Sequence, residues 1–258
     1  MEPPGTDRKK LAVQQKGGSL TETGSLLYRR VFPASDRIGI VIPTVGEVID
    51  NEDEYFGIVY ALTASPMDYM VQLDDMGVDF TSISDYDLFL MLYSGIREKD
   101  LSLVFDGFDP KKLELSYHIE TGAPVLYDEE NDIVIDRVVY TRIAEILRKI
   151  HHLEKNNKKP GNEDAREYLL ERARKKAARR KRRAQDSQLE QLITAMVNTE
   201  QFKYGYEGTR ELSIYQFNES VRQIMKKVDY DNKMHGVYAG TVDPKHLSQD
   251  DLNWLIHK

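Results

Sequence analysis

Cysteine is absent from the 258-residue chain and tryptophan occurs once. The missing thiols exclude a disulfide framework, a cysteine nucleophile and every Cys-ligated metal site, and they fit a reducing compartment. No apolar run approaches the roughly 20 residues that a bilayer span needs, so no membrane span is expected. The opening stretch, MEPPGTDRKKLAVQQKGGSLTETGS, has no apolar core of a secretory signal, which predicts a protein that stays where it is made. Also lacking are a Walker phosphate loop, a GxGxxG after a strand, a GxSxG elbow and an HExxH helix. No catalytic residue and no cofactor are therefore nominated.

What the chain does have is aromatic mass and divided charge. Fifteen Tyr and eight Phe within a 40% hydrophobic composition are enough to build cores. Net charge is only -7, yet an acidic first half is followed by Arg172 to Arg183, where nine of twelve positions are Lys or Arg. Opposed local fields of this kind suit docking better than enclosure of a small substrate.

Residues 1–27, rich in Gly, Pro, Ser, Thr and Gln, read as a flexible arm. Residues 28–154 read as an acidic α+β domain. Ile38, Ile40 and Ile42 alternate as in a short buried strand, and helical patches follow over 47–62 and 66–75. Ser84 opens a buried helix with Asp85 and Asp87 in its first turn. Residues 113–119, 124–127 and 133–135 form a small antiparallel sheet, and Val139, Ile143, Ile146, Leu147 and Ile150 mark one face of the next helix. The polar run 155–162 is the expected linker. Beyond it, 163–258 reads as an all-helical domain that begins with the basic helix. Within it Leu189, Leu192, Ile193, Met196 and Val197 form one stripe. Ser213 and Gln216 form a capping box ahead of Phe217, Val221, Ile224, Met225 and Val228. A short capped helix after Ser248 should bring Trp254 down to close a core with Phe217, Val221, Ile224 and Met225. The fold class is thus α+β, mainly α.

Residue types that could carry chemistry are present without the spacing it requires. Asp50, Glu52, Asp53, Glu54, Asp74, Asp75, Asp79, Asp85 and Asp87 could in principle serve a two-metal nuclease, but neither 50–54 nor 128–132 has the turn glycine of a calcium loop. His151 and His152 are adjacent on a helix, hence about 100° apart and a poor metal pair, better read as an exposed helix end. No metal site is expected. The basic run, with Arg172, Arg174, Lys175, Lys176, Arg179, Arg180, Lys181, Arg182 and Arg183, could meet nucleic acid, pair with the acidic half of the same or a neighbouring subunit, or remain solvated. Ala173 to Ala184 contains no aromatic on which bases could stack, so docking on protein is preferred to nucleic acid.

Segments 197–204, 212–220, 236–241 and 252–255, with Tyr215-Gln216-Phe217 opening a helix and Leu252-Asn253-Trp254 closing the chain, resemble a family of tailed-bacteriophage tail morphogenesis proteins. Segments 42–48 and 70–75 are similar to the N-terminal halves of such proteins. The resemblance implies a non-enzymatic tail-assembly role. It could be that of a chaperone of tail or tape-measure assembly working in the host cytoplasm, or that of a structural component of the baseplate, hub or neck within the virion. A nucleic-acid-binding packaging factor is a further alternative. The implied partners are other phage tail proteins or further copies of this chain.

Overall fold

The computed structural model describes residues 10–11, 25–181 and 187–255, with side chains from 25 to 179 and from 187 to 255. The fold is α+β and mainly α, with about 51% of the described residues helical. It divides into two units, one of residues 1–42 with 53–186 and one of 43–52 with 187–258.

The first unit contains two small sheets. Strands β1 (Lys10–Leu11), β2 (Val31–Pro33), β3 (Gly39–Val41) and β4 (Phe105–Asp106) come from the chain's first part, and β5 (Glu114–His118), β6 (Pro124–Asp128) and β7 (Ile133–Ile135) follow. Strands β2, β3 and β4 pair antiparallel, with Phe32 opposite Ile40 and Ile40 opposite Phe105. Ile38, Ile40 and Ile42 are all buried here, as their alternation predicts. A Cβ on Gly39 would lie 2.5 Å from Val31 Cγ1, so the close approach of β2 and β3 depends on the missing side chain. Strands β5, β6 and β7 form the expected antiparallel sheet, and β1 adds to its edge in parallel with β5. Most of the proposed arm, 1–9 and 12–24, lies outside the described residues.

Helices α1 (Val45–Ile49), α2 (Glu52–Thr63), α3 (Met70–Asp75), α4 (Asp85–Ile96), α5 (Arg137–His151) and α6 (Glu163–Lys181) complete the first two-thirds of the chain. A capping box between Ser84 and Asp87 starts α4, and Asp136 caps α5 by accepting from Val139 N at 2.8 Å. The buried stripe of α5 runs Tyr140, Ile143, Ala144, Ile146, Leu147 and Ile150. Tyr140 stacks on Phe89 of α4 at 4.6 Å, and Tyr86 Oη donates to the Ile135 carbonyl at 2.8 Å, which ties α4 to the second sheet.

The polar run 155–162 is not where the units part. Lys155 pairs with Asp85, Asn156 Nδ2 donates to Asp68 Oδ1 at 3.1 Å, and Lys159 donates to the Thr81 carbonyl at 2.9 Å. These bonds pin the run along the first unit, and α6 packs there too, against α3. Polar composition marks a solvated surface, and this one is held by hydrogen bonds rather than free to serve as a linker.

The second unit takes α1 from the front of the chain and α7 (Gln188–Val197), α8 (Tyr206–Glu211) and α9 (Ile214–Tyr238) from its end. Backbone bonds lock the two together: Val45 N donates to Leu212 O and Ile214 N to Pro43 O, each at 2.8 Å. Gly46 lets the backbones meet, since a Cβ there would stand 3.3 Å from the Arg210 carbonyl. The core is Val45, Val48, Leu189, Ile193, Met196, Phe202, Leu212, Ile214, Tyr215 and Phe217. The capping box of Ser213 and Gln216 is present.

The expected closure by Trp254 is not. Trp254 is 45% exposed and Met225 66% exposed, while Val221 and Ile224 are half-buried; of that set only Phe217 lies in the core. The physical reason is that α1, remote in sequence, supplies the apolar cover, so only the first turn of α9 is needed. The segment after Ser248 forms one turn, held by Ser248 and Asp251, instead of a helix.

Candidate interaction surfaces

Helix α6 has two faces of different chemistry. Leu169 and Leu170 pack on the cluster of Ala64, Met67, Leu73, Phe80 and Leu88. The Arg166 guanidinium sits over the Phe80 ring, 5.1 Å from its centroid, and reaches Asp74 at 3.3 Å. Two turns on, Arg174 meets Asp74 at 2.9 Å and Asp75 at 2.6 Å. These carboxylates raise the pKa of Arg174, chiefly through the hydrogen bond to Asp75, so its charge is spent within the unit. Asp74 and Asp75, candidates for a metal centre by residue type, are thus partners for cations of α6.

The other face is open. Tyr168, Arg172, Lys175 and Arg179 follow each other at i, i+4, i+7 and i+11, which places them on one stripe of a helix with 3.6 residues per turn, and Lys176 flanks it. Tyr168 is exposed, as are Arg172, Lys175, Lys176 and Arg179. Lys175 has an intrahelical pair with Glu171 at 2.5 Å, a solvated contact of little energetic weight. Arg172, Lys176 and Arg179 have no ion pair among the described residues. The side chains of Arg180, Lys181, Arg182 and Arg183 lie outside the described residues. Of the nine basic positions nominated from sequence, the structure therefore removes Arg174 from the outward set. It adds Tyr168, whose signal was its i, i+4 spacing to Arg172 just ahead of the basic run.

Among the described residues no group of three or more His, Asp or Glu is placed to hold a metal ion. The acidic loop 128–132 is a turn: Asp128, 1% exposed, accepts from Glu130 N and from Asn131 N and Nδ2, and these bonds, led by the Asn131 side chain, hold its carboxyl below the usual range. His151 is not an exposed helix end. Its Nε2 lies 2.9 Å from Tyr55 Oη, its ring packs on Tyr55 and Phe56, and burial pushes its pKa down to about 4.

The second unit presents a different surface. Met225, Val228 and Tyr238 of α9 are exposed, as are Leu252, Trp254 and Leu255. The final segment is fastened to α9 by polar contacts: Gln223 Nε2 to the Trp254 carbonyl at 2.7 Å, Lys226 to Asp250, and Lys233 to Asp251 at 2.5 Å. Residues 179–257, spanning α7, α8, α9 and this segment, match the family model described as YomV second domain. The match points to a phage protein. It includes segments 197–204, 212–220, 236–241 and 252–255 and leaves 1–178, with segments 42–48 and 70–75, outside. No curated protein and no solved structure matches the chain. No helix among the described residues is long and apolar enough to cross a membrane.

Proposed function

We propose that the protein is a non-enzymatic phage tail-assembly factor that docks onto an acidic, helical surface of another tail protein through the outward face of α6. The observation that carries this reading is the stripe Tyr168, Arg172, Lys175 and Arg179, whose cations are exposed while those of the opposite face are already neutralised by Asp74 and Asp75. A helix can fold on its own unit and still present charge only when its two faces are divided in this way. The similarity of 179–257 to a phage-associated family supports the setting. Assembly would take place in the host cytoplasm, with further copies of the chain available as partners.

Charge reversal at Arg172, Lys175, Lys176 and Arg179 tests the reading in phage carrying the altered gene. The expected result is a fold unchanged by circular dichroism together with loss of tailed particles. Normal yields of infectious particles would overturn it. Mass spectrometry of purified particles separates the chaperone, which should be absent, from a baseplate, hub or neck component, which should be present in fixed copy number. If the stripe instead takes DNA, wild type will shift a duplex with steep salt dependence, and the packaging-factor reading replaces this one. Cleavage of that DNA with added Mg²⁺ would refute the absence of catalysis.

A further inference from the structure

Helix α9 is 25 residues long, yet only Ile214, Tyr215 and Phe217 of it are buried. The face that carries Phe217 into the core runs on as Val221, Ile224, Met225 and Val228, at i+4, i+7, i+8 and i+11. Met225 and Val228 are exposed and Val221 and Ile224 half-buried, so the stripe leaves the core without full cover. The closing segment does not supply it. That segment packs Val242 at Gly236 and is fastened to Gln223, Lys226 and Lys233, a side of the helix roughly 140° round from the stripe.

Charge beside the stripe indicates what covers it. Arg222 and Asp229 are both exposed and stand seven residues apart, hence on the same flank about two turns from each other. Arg222 has no ion pair among the described residues, and Asp229 has the solvated i, i+4 pair with Lys233 at 2.6 Å. When two α9 helices are laid end for end, face to face, Val221 of each copy meets Val228 of the other and Ile224 meets Met225. In that register Arg222 of each copy lies on the flank of Asp229 of the other, about 3 Å from it along the axis. Two-fold symmetry makes the pair twice. A parallel arrangement would set this flank against the one that carries Ser220 and Lys227, and Arg222 would gain no carboxylate.

We propose that α9 is a homodimerisation surface, on which a second copy of this chain seats its own α9 antiparallel about a two-fold axis near Ile224 and Met225. The stripe supplies the apolar contact, and the two Arg222–Asp229 pairs fix its direction. The contact runs over about two turns, which is small for a specific interface, so a dimer in the micromolar range is expected. It belongs to the second unit and does not depend on the α6 stripe, which belongs to the first.

Sedimentation equilibrium of the full chain over a range of concentrations should show monomer and dimer in exchange. Met225→Glu, at an exposed position, should weaken the dimer about tenfold with the melt unchanged. Arg222→Asp or Asp229→Arg alone should weaken it severalfold by setting like charges together, and an equimolar mixture of those two variants should regain it. The chain has no cysteine, so one introduced thiol reports its own neighbour. Oxidised Met225→Cys, close to the axis, should give a covalent dimer. Tyr238→Cys, equally open to solvent but about 40 Å from its counterpart along the pair, should not. The proposal fails if the chain is monomeric at every concentration, if Met225→Glu dimerises as wild type does, if the mixed charge variants do not recover, or if Tyr238→Cys cross-links as readily as Met225→Cys. None of these outcomes bears on the α6 stripe, whose test is particle assembly.

Discussion

Tyr55 Oη and His151 Nε2 lie 2.9 Å apart, joining α2 to the last turn of α5 inside the first unit. The pair is held uncharged: burial raises the Tyr55 pKa and pushes that of His151 down to about 4. In the unfolded chain His151 would titrate near its ordinary value, roughly 6.5. Between those values the unfolded state binds more protons, so stability is fully present above pH ~6.5 and falls as pH drops toward ~4. The loss attributable to His151 should reach about 2–4 kcal/mol by pH 4. Urea titrations from pH 7 to pH 4 measure it, and His151→Gln should flatten the profile over that window.

Trp254 is the chain's single tryptophan and reports its own environment. With 45% of it exposed, its fluorescence should be red-shifted and quenched by iodide in the native state. Trp254→Ala should cost no more than about 1 kcal/mol, as expected outside a core. Phe217→Ala, at a fully buried position against Phe202, should cost about 3–5 kcal/mol. Equal losses from the two substitutions would place Trp254 back in the core.

Phe80 and Asp74 hold α6 by different means, and their substitutions should differ accordingly. Phe80→Ala empties the centre of the cluster under Leu169 and Leu170 and should cost about 3–5 kcal/mol. Asp74→Ala removes partners from Arg166 and Arg174 at a partly exposed site and should cost about 1 kcal/mol or less. That smaller loss should shrink further in 1 M salt, where the Debye length is about 3 Å.

Gly39→Ala should destabilise the first sheet by about 1–3 kcal/mol, because the new methyl would stand 2.5 Å from Val31 Cγ1. Val31→Ala in the same chain should recover part of the loss by removing that atom. Thermal melts of the single and double variants provide the comparison; additive losses would show that the two sites do not touch.

Local signals in the sequence were accurate at several elements, although the local cap at Ser248 opens only a turn where a short helix was expected. The alternation around Ile40, the three antiparallel strands after Leu113, the Ser84 cap and the Ser213–Gln216 capping box each depend on residues a few positions apart, and each is present. The basic run was equally plain, because clustered charge is a property of composition. Its division into an inner and an outer face was partly readable: Tyr168, Arg172, Lys175 and Arg179 share a helical stripe by spacing alone. That Arg174 is neutralised required Asp74 and Asp75 to arrive from a hundred residues earlier.

The sequence by itself determined the class, mainly helical with small sheets, since periodicity and capping act over one or two turns. Tertiary structure alone decided which stripes are covered. The second unit borrows Val45 and Val48 from α1, so the core of α9 closes at Phe217 and leaves Met225 and Trp254 exposed. The run 155–162 looks like a linker by composition, yet its side chains are tied to Asp68, Thr81 and Asp85. An amphipathic stripe states that a helix needs cover. It does not state which distant segment supplies it, because burial depends on contacts between residues far apart in the chain, and no local pattern encodes them.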